Sequence, residues 1–225
     1  MNFFLLLGLA LAPGLAIILY IYWNDTHEKE PIRLLILSFF FGILSTFLTL
    51  FISSVLTPVF DMLQANNIIH QAFKAFILVA LIEEFSKFIF VRGNLYKKPD
   101  FNEPFDGIVY TVMVGMGFAT LENILYVFHG GLEVALWRMF TAVPAHATFA
   151  ILMGFYLGKA KFSHSSKPYA LFGLLAAVVL HGAYDFFLFI NYIPGIGIGA
   201  FISLIVAIIL SRKAIKAHQA ISPFK

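Results

Sequence analysis

The sequence predicts an all-α, polytopic transmembrane bundle of about seven helices, on three observations. Of 225 residues, 60% are hydrophobic and only 12% charged, which is outside the range of a water-soluble domain. Apolar stretches long enough to cross a bilayer recur along the whole chain, whereas barrel strands are short and alternate in polarity. Lysine and arginine collect in alternate connections, the distribution that orients a multi-pass protein.

Taken in order, the spans fall at roughly 3–22, 34–57, 68–91, 107–128, 134–158, 168–190 and 196–211. The first has no basic segment before its apolar run and no convincing small-x-small cleavage site, so it reads as a retained helix and not a signal peptide. Lys29 and Arg33 fall in the first connection, Arg92, Lys97 and Lys98 in the third, Lys159, Lys161 and Lys167 in the fifth, and Arg212, Lys213, Lys216 and Lys225 in the tail. The connections around 61–67, 129–133 and 191–195 contain neither residue. This alternation predicts an amino terminus outside and a carboxyl terminus in the cytoplasm. Lys74 and Arg138 lie near outer helix ends, where each is expected to snorkel. The whole chain, 1–225, reads as a single integral-membrane domain without repeats. Gly154 and Gly158 have the spacing of a close helix contact.

Composition also removes chemistries. The absence of cysteine excludes disulfides, thiol nucleophiles and thiolate ligands. The slight basic excess, 15 Lys and Arg against 12 Asp and Glu, sits beside apolar spans, so it reads as an orientation signal and not as a nucleic-acid surface.

Within the spans lie Glu83, Glu84, Lys87, Glu122, His146, His181 and Asp185. A charge at a helix centre costs roughly 2.5–3.5 kcal/mol, so these groups are expected to meet inside the bundle, paired or facing water. Counting from the cytoplasmic side tests this. Glu83 is 14 residues from Lys97, Glu122 is 16 from Asp106, His146 is 13 from Lys159 and His181 is 14 from Lys167. At 1.5 Å per residue all four lie about 20–24 Å above that face, in the outer part of the membrane. Glu83 and Lys87 share a helix face, Glu84 is turned about 100° from them, and His181 shares a face with Asp185, as Phe118 does with Glu122. One of two adjacent carboxylates in a site of low dielectric can stay protonated, and such a group can pass a proton from water to a leaving amine. Taken singly, a buried Glu–Lys pair or a lone histidine is more often structural. Seven groups on four helices at one level favour a functional site, with hydrolysis and transport both open at this point.

Other protease chemistries lack their residues. No Gly-x-Ser-x-Gly occurs. His27-Glu28-Lys29-Glu30-Pro31 has proline where a zinc motif needs its second histidine. An aspartyl dyad would need Asp106, at an interface, to face Asp185.

Glu83-Glu84-Phe-Ser-Lys87, Phe118-Ala-Thr-Leu-Glu122-Asn123 and His181-Gly-Ala-Tyr-Asp185 resemble the three motifs of the PrsW family of bacterial intramembrane proteases. The stretches from Phe105 to Tyr110 and from His146 through Met153 to Phe162 are similar to it as well. The resemblance implies a multi-pass enzyme of the bacterial cell membrane. It would make the first, site-1, extracytoplasmic cut in a single-span anti-sigma factor, releasing a sigma factor for stress transcription. It also implies kinship with the CAAX prenyl proteases and bacteriocin-immunity proteins, whose second motif commonly has histidine where this chain has Glu122. On this resemblance Glu83 activates water with help from Glu84. His181 and His146 polarise the scissile carbonyl, Asp185 orients His181, Lys87 balances the carboxylates, and Glu122 and Asn123 complete the wall. The cofactor is none or Zn2+, the zinc arrangement drawing on Glu83, Glu122, His146 and His181. A proton- or ion-coupled transporter would use the same buried groups, but is expected to have repeated halves, which this chain lacks. A non-catalytic scaffold is the third reading.

Overall fold

A computed structural model describes residues 3–62, 67–164 and 166–225. The connection read around 61–67 falls in part on 63–66, outside the described residues. Every regular element of the described residues is helical, and they contain no strand. Helix α1 runs Phe3–Asn24, α2 Ile32–Asp61, α3 Ile68–Phe73, α4 Ile82–Phe90, α5 Pro104–Phe140, α6 Ala142–Lys161, α7 Ser166–Phe189 and α8 Ile198–Ala220. Two π-helical stretches, Lys74–Leu81 and Val91–Leu95, join α3 to α4 and extend α4, making one rod over 68–95. Wide π turns are rare and cluster at functional positions, and the first ends just before Glu83 and Glu84. Five helical stretches are long and apolar enough to cross a membrane.

One of those five is Pro104–Lys161, 58 residues long, which cannot be a single straight crossing. The chain reverses at two breaks. Gly131 has φ 74° and ψ −157°, a conformation costly for a residue with a Cβ, and Thr141 is also non-helical. Residues 132–140 therefore form a short helical segment of their own. This corrects the expected boundary: 134–141 precede α6 and do not begin it. The first break falls in the connection expected at 129–133; apolar composition continues across the second, at Thr141, so hydropathy does not mark that one. The last helix likewise runs to Ala220, beyond the expected end near 211, because its basic residues continue the helix past the apolar part.

Close backbone contacts at glycines fix which rods are neighbours. A Cβ on Gly154 would lie 2.3 Å from the carbonyl oxygen of Gly107, and one on Gly158 would lie 2.2 Å from that of Pro104. The Gly154/Gly158 pair is thus the seam of the antiparallel α5–α6 hairpin, the packing role its spacing predicts. Gly42 and Gly117 meet where α2 crosses α5, Gly14 of α1 meets Thr120 of α5, and Gly173 of α7 meets the Met153 carbonyl of α6. Gly182 lies against the Phe76 ring and brings α7 onto the π-helical stretch. The pairing of early with late residues in these contacts makes α1 antiparallel to α5 and α2 parallel to it, and α7 antiparallel both to α6 and to the 68–95 rod.

The α5–α6 hairpin is the centre of the bundle. The most apolar window of Pro104–Lys161 is 78% buried, against 28% in each of α1 and α2. The outer helices carry exposed Phe40, Phe47 and Phe51 on α2, Leu171 and Phe172 on α7, and Ile202 and Ile205 on α8. An apolar surface this extensive suits lipid and would be a liability in water. Ties at one end close the bundle there: Lys161 donates to the carbonyls of Tyr96 (2.6 Å) and Lys98 (3.2 Å), and the Gln219 amide donates to Asn24 (2.5 Å). Asp106, the other half of the aspartyl dyad weighed above, lies at this end as a cap. Its Oδ2 accepts from the backbone N–H of Asn102 and of Glu103, each at 2.7 Å, at the start of α5.

Candidate active site

At the level expected from counting along the helices, side chains from α4, α5, α6 and α7 converge. From α4 come Glu83, Glu84 and Lys87, all buried. The i,i+3 partner is the closer one: Lys87 Nζ lies 2.7 Å from Glu84 Oε1 and 3.6 Å from Glu83 Oε2. The α7 spacing places His181 Nε2 3.3 Å from Asp185 Oδ2, while Nδ1 lies 2.9 Å from Glu84 Oε1. Both nitrogens of His181 thus face carboxylates, and Glu83 Oε2 stands 3.9 Å from Nε2. Glu84 Oε1 takes hydrogen bonds from two helices.

His146 enters from α6. Its Nδ1 is 3.3 Å from Lys87 Nζ and its Nε2 is 3.0 Å from Glu122 Oε2. An ammonium has only donors, so Nδ1 accepts and Nε2 carries the proton given to Glu122. The two imidazoles stand edge to face with centroids 5.2 Å apart, and Phe149 stacks on His181 at 4.8 Å. Phe118 lies beneath the Lys87 ammonium, which is 4.0 Å from its ring centroid, a cation–π contact in a dry setting.

A cavity of about 520 Å³ opens over this cluster, toward the end of the bundle that carries 131–141 and 190–197. Glu83, Glu122, His146, His181 and Asp185 line it, with an otherwise mainly apolar and aromatic wall that includes Phe149, Tyr184, Leu188 and Phe201. Glu84, Lys87, Phe118 and Asn123 stand behind the lining. Asn123 spans from α5 to α1, its amide donating to the Ala10 carbonyl at 3.0 Å.

Two residues of this neighbourhood escape sequence reasoning. Arg138 does not snorkel: its guanidinium donates to Glu122 Oε2 at 2.6 Å and to Asn123 Oδ1 at 2.9 Å. The reversal expected at 129–133 allows 138 to approach 122, but the choice of Glu122 and Asn123 as its partners is made by tertiary packing. Phe149 is one turn from His146 on α6, and that spacing was a usable signal.

The profile of the PrsW family intramembrane metalloproteases matches residues 30–212. The chain belongs to the PrsW family. It is 40% identical to Protease PrsW of Geobacillus kaustophilus, over 99% of this chain and 98% of that protein. To Protease PrsW of Bacillus subtilis it is 37% identical, over 82% and 83% of the two chains, and to that of Clostridioides difficile 32%, over 82% and 79%. No solved structure matches significantly. The chain is thus a multi-pass membrane protein of an intramembrane protease family, and all seven buried polar groups lie inside the matched PrsW region.

The PrsW description as metalloprotease can be tested on the donor set. One ligand atom from each of Glu83, Glu84, His146 and His181 lies within 4.8 Å of the others. Glu83 Oε2 and Glu84 Oε2 are buried and have no hydrogen-bond partner. Two carboxylates and two imidazoles with unused oxygens fit a divalent ion of zinc type. This grouping differs from the set expected from sequence in holding Glu84 where Glu122 was expected: Glu84 Oε2 is buried without a hydrogen-bond partner, whereas Glu122 lies outside the group. Lys87 faces His146 Nδ1, so an ion drawing on that nitrogen must displace its ammonium.

Proposed function

We propose that this PrsW-family chain acts as a single integral-membrane endopeptidase domain over 1–225. It makes the first, site-1, cut in a membrane-anchored anti-sigma factor on the extracytoplasmic side, leading to sigma-factor release in a stress response. The observation that carries this reading is the contrast between the two glutamates. Glu84 is held by Lys87 and His181, whereas Glu83 lines the cavity with Oε2 free of hydrogen bonds. A carboxylate on the cavity wall that is paired only loosely with Lys87 and has an oxygen free of hydrogen bonds beside two imidazoles has the place of a general base.

Glu83 accepts a proton from water as the oxygen adds to the scissile carbonyl carbon, and returns that proton to the departing amine as the C–N bond breaks. Asp185 and Glu84 hold the His181 ring from both nitrogens and so fix its orientation at the cavity wall, beside the scissile carbonyl that it polarises. Glu122 keeps His146 in the Nε2–H form. Lys87 compensates the carboxylate charge. A divalent ion held by Glu84, His146 and His181 would supply Lewis-acid polarisation of the carbonyl. The apolar wall suits the side chains of a membrane-spanning substrate.

The site-1 reading rests on orientation. Lysine and arginine crowd the end closed by Lys161 and Gln219, whereas the cavity end has Lys74, near the Phe189 ring, and the ion-paired Arg138. Seven crossings with the amino terminus outside then put the cavity on the extracytoplasmic side.

The test is cleavage of a tagged single-span anti-sigma factor by purified protein in liposomes, with the cut located by mass spectrometry. Wild type is expected to cut outside the membrane's cytoplasmic half, and Glu83→Gln and His181→Ala to be inactive while inserted and folded. Unchanged cleavage by both variants, or a cut on the cytoplasmic side, would overturn the reading.

A further inference from the structure

Residues 132–140 run between two backbone breaks, at Gly131 and Thr141, and place Trp137 and Arg138 on the rim of the cavity. The segment has an apolar attachment: Ala135 is fully buried with Leu6, Ala10 and Val127. Apolar packing is non-directional and leaves the rotation and register of so short a helix loosely set. Arg138 supplies direction. Its Nε and one terminal nitrogen engage Asn123 Oδ1 and Glu122 Oε2, and its guanidinium lies 4.1 Å from the Tyr126 ring centroid. Three residues on two successive turns of α5, Glu122, Asn123 and Tyr126, therefore grip one side chain.

The same Glu122 oxygen accepts from His146 Nε2. Glu122 would otherwise be free to turn towards the cavity that it lines, and His146 would lose the partner that fixes its tautomer. Arg138 in turn is the only lysine or arginine lining the cavity among the described residues.

We infer that Arg138 is a positioning residue for the reaction. Through Glu122 it holds His146 with Nδ1 turned to the Glu84–Lys87 side, and it locks the 132–140 segment in place as the rim of the cavity. The inference rests on the proteolytic reading above. A fork with two donors at fixed spacing is needed for this, which lysine cannot reproduce fully.

The experiment measures kcat and KM in liposomes for wild type, Arg138→Gln, Arg138→Lys, Glu122→Gln, the Arg138→Gln/Glu122→Gln double variant and Glu83→Gln. Arg138→Gln is expected to lower kcat about 10- to 100-fold, the usual loss when a residue orienting a site ligand is removed, with KM within about twofold. Arg138→Lys should fall between it and wild type. The double variant should be no slower than the slower single one, because both changes break the same link. An unchanged kcat in Arg138→Gln, a loss confined to KM, or multiplicative losses in the double variant would overturn the inference. Where the glutamine variant does not fold, Arg138→Lys decides: a lowered kcat at unchanged KM supports it, and wild-type kcat overturns it. Wild-type cleavage by Glu83→Gln would sink the proteolytic reading and this inference together. Normal dependence on Glu83 with an indifferent Arg138 would sink the inference alone.

Discussion

Oε1 of Glu84 lies 2.9 Å from Nδ1 of His181, 97 positions later in the chain, and 2.7 Å from the Lys87 ammonium one helical turn away. One buried oxygen therefore joins α4 to α7 and neutralises a lysine that is only 2% exposed. Removing either partner strands a charge where neither water nor lipid can solvate it.

Lys87→Met is accordingly expected to destabilise the fold by roughly 3–5 kcal/mol, the usual cost of leaving one half of a buried ion pair. Glu84→Gln combined with Lys87→Met should recover much of that loss. Denaturant unfolding in detergent checks both, and a Lys87→Met midpoint equal to wild type would contradict the pairing.

In the proposed reaction Asp185 acts through His181, whose Nε2 is 3.3 Å away. Asp185→Asn keeps the shape and removes the charge. We expect kcat to fall about 10- to 100-fold with little change in stability. A change in KM alone would instead assign Asp185 to substrate binding.

The glycine seam between α5 and α6 gives a packing test. A methyl at 154 would sit 2.3 Å from the Gly107 carbonyl oxygen and 2.7 Å from Ile108 Cα, both backbone atoms that cannot swing aside. Gly154→Ala should cost about 1–3 kcal/mol, as overpacking does. Gly8→Ala, with no atom within 4 Å of the added carbon, should leave the thermal midpoint unchanged or higher. Equal midpoints for the two variants would show that the seam is looser than described.

Metal content can be read without any activity measurement. Protein purified without chelator is expected to carry about one divalent ion per chain by elemental mass spectrometry, falling sharply in Glu84→Gln and His181→Ala. Glu122→Gln should retain the ion, since Glu122 stands outside the group of donor atoms that lie within 4.8 Å of one another. Loss of metal in Glu122→Gln with retention in Glu84→Gln would restore the set expected from sequence.

At the closed end, in the connection between α1 and α2, burial pushes the Asp25 carboxyl up to about 7, and the neighbouring Asp106 and Glu103 push in the same direction against Lys29. Glu30 is raised as well, first by burial and then by its hydrogen bond with Asp106. A carboxyl raised on folding holds a proton that the unfolded chain has already released. Its contribution is therefore complete below the ordinary carboxylate range and is lost as pH rises through the folded value. Thermal stability is expected to decline from about pH 4 to about pH 7 through Asp25 and to level off above that, and Asp25→Asn should flatten that decline. A wild-type midpoint that rises over this interval would refute the assignment.

Much of the molecule was legible before any coordinates. Helical class, the membrane environment and the level of the polar groups follow from hydropathy and a constant rise per residue, which are local properties. The i,i+4 relation of His181 to Asp185 and the Gly154/Gly158 contact belong to the same category. Spacing also put Glu83 and Lys87 on one face, yet the nearer partner of Lys87 is Glu84, because a long side chain reaches either and His181 draws Glu84 inward.

The sequence by itself determined which segments become apolar helices and which polar residues those helices must bury. Tertiary structure alone decided the partners: Glu84 with His181, Arg138 with Glu122, Phe149 on His181, and the second break, at Thr141, that sets 132–140 apart from α6. The physical reason is range. Helix formation and burial in lipid depend on near neighbours in the chain, whereas the choice among several buried partners depends on how closely backbones approach, and that is set by contacts such as Gly42 with Gly117 and Gly107 with Gly154 between residues far apart in sequence.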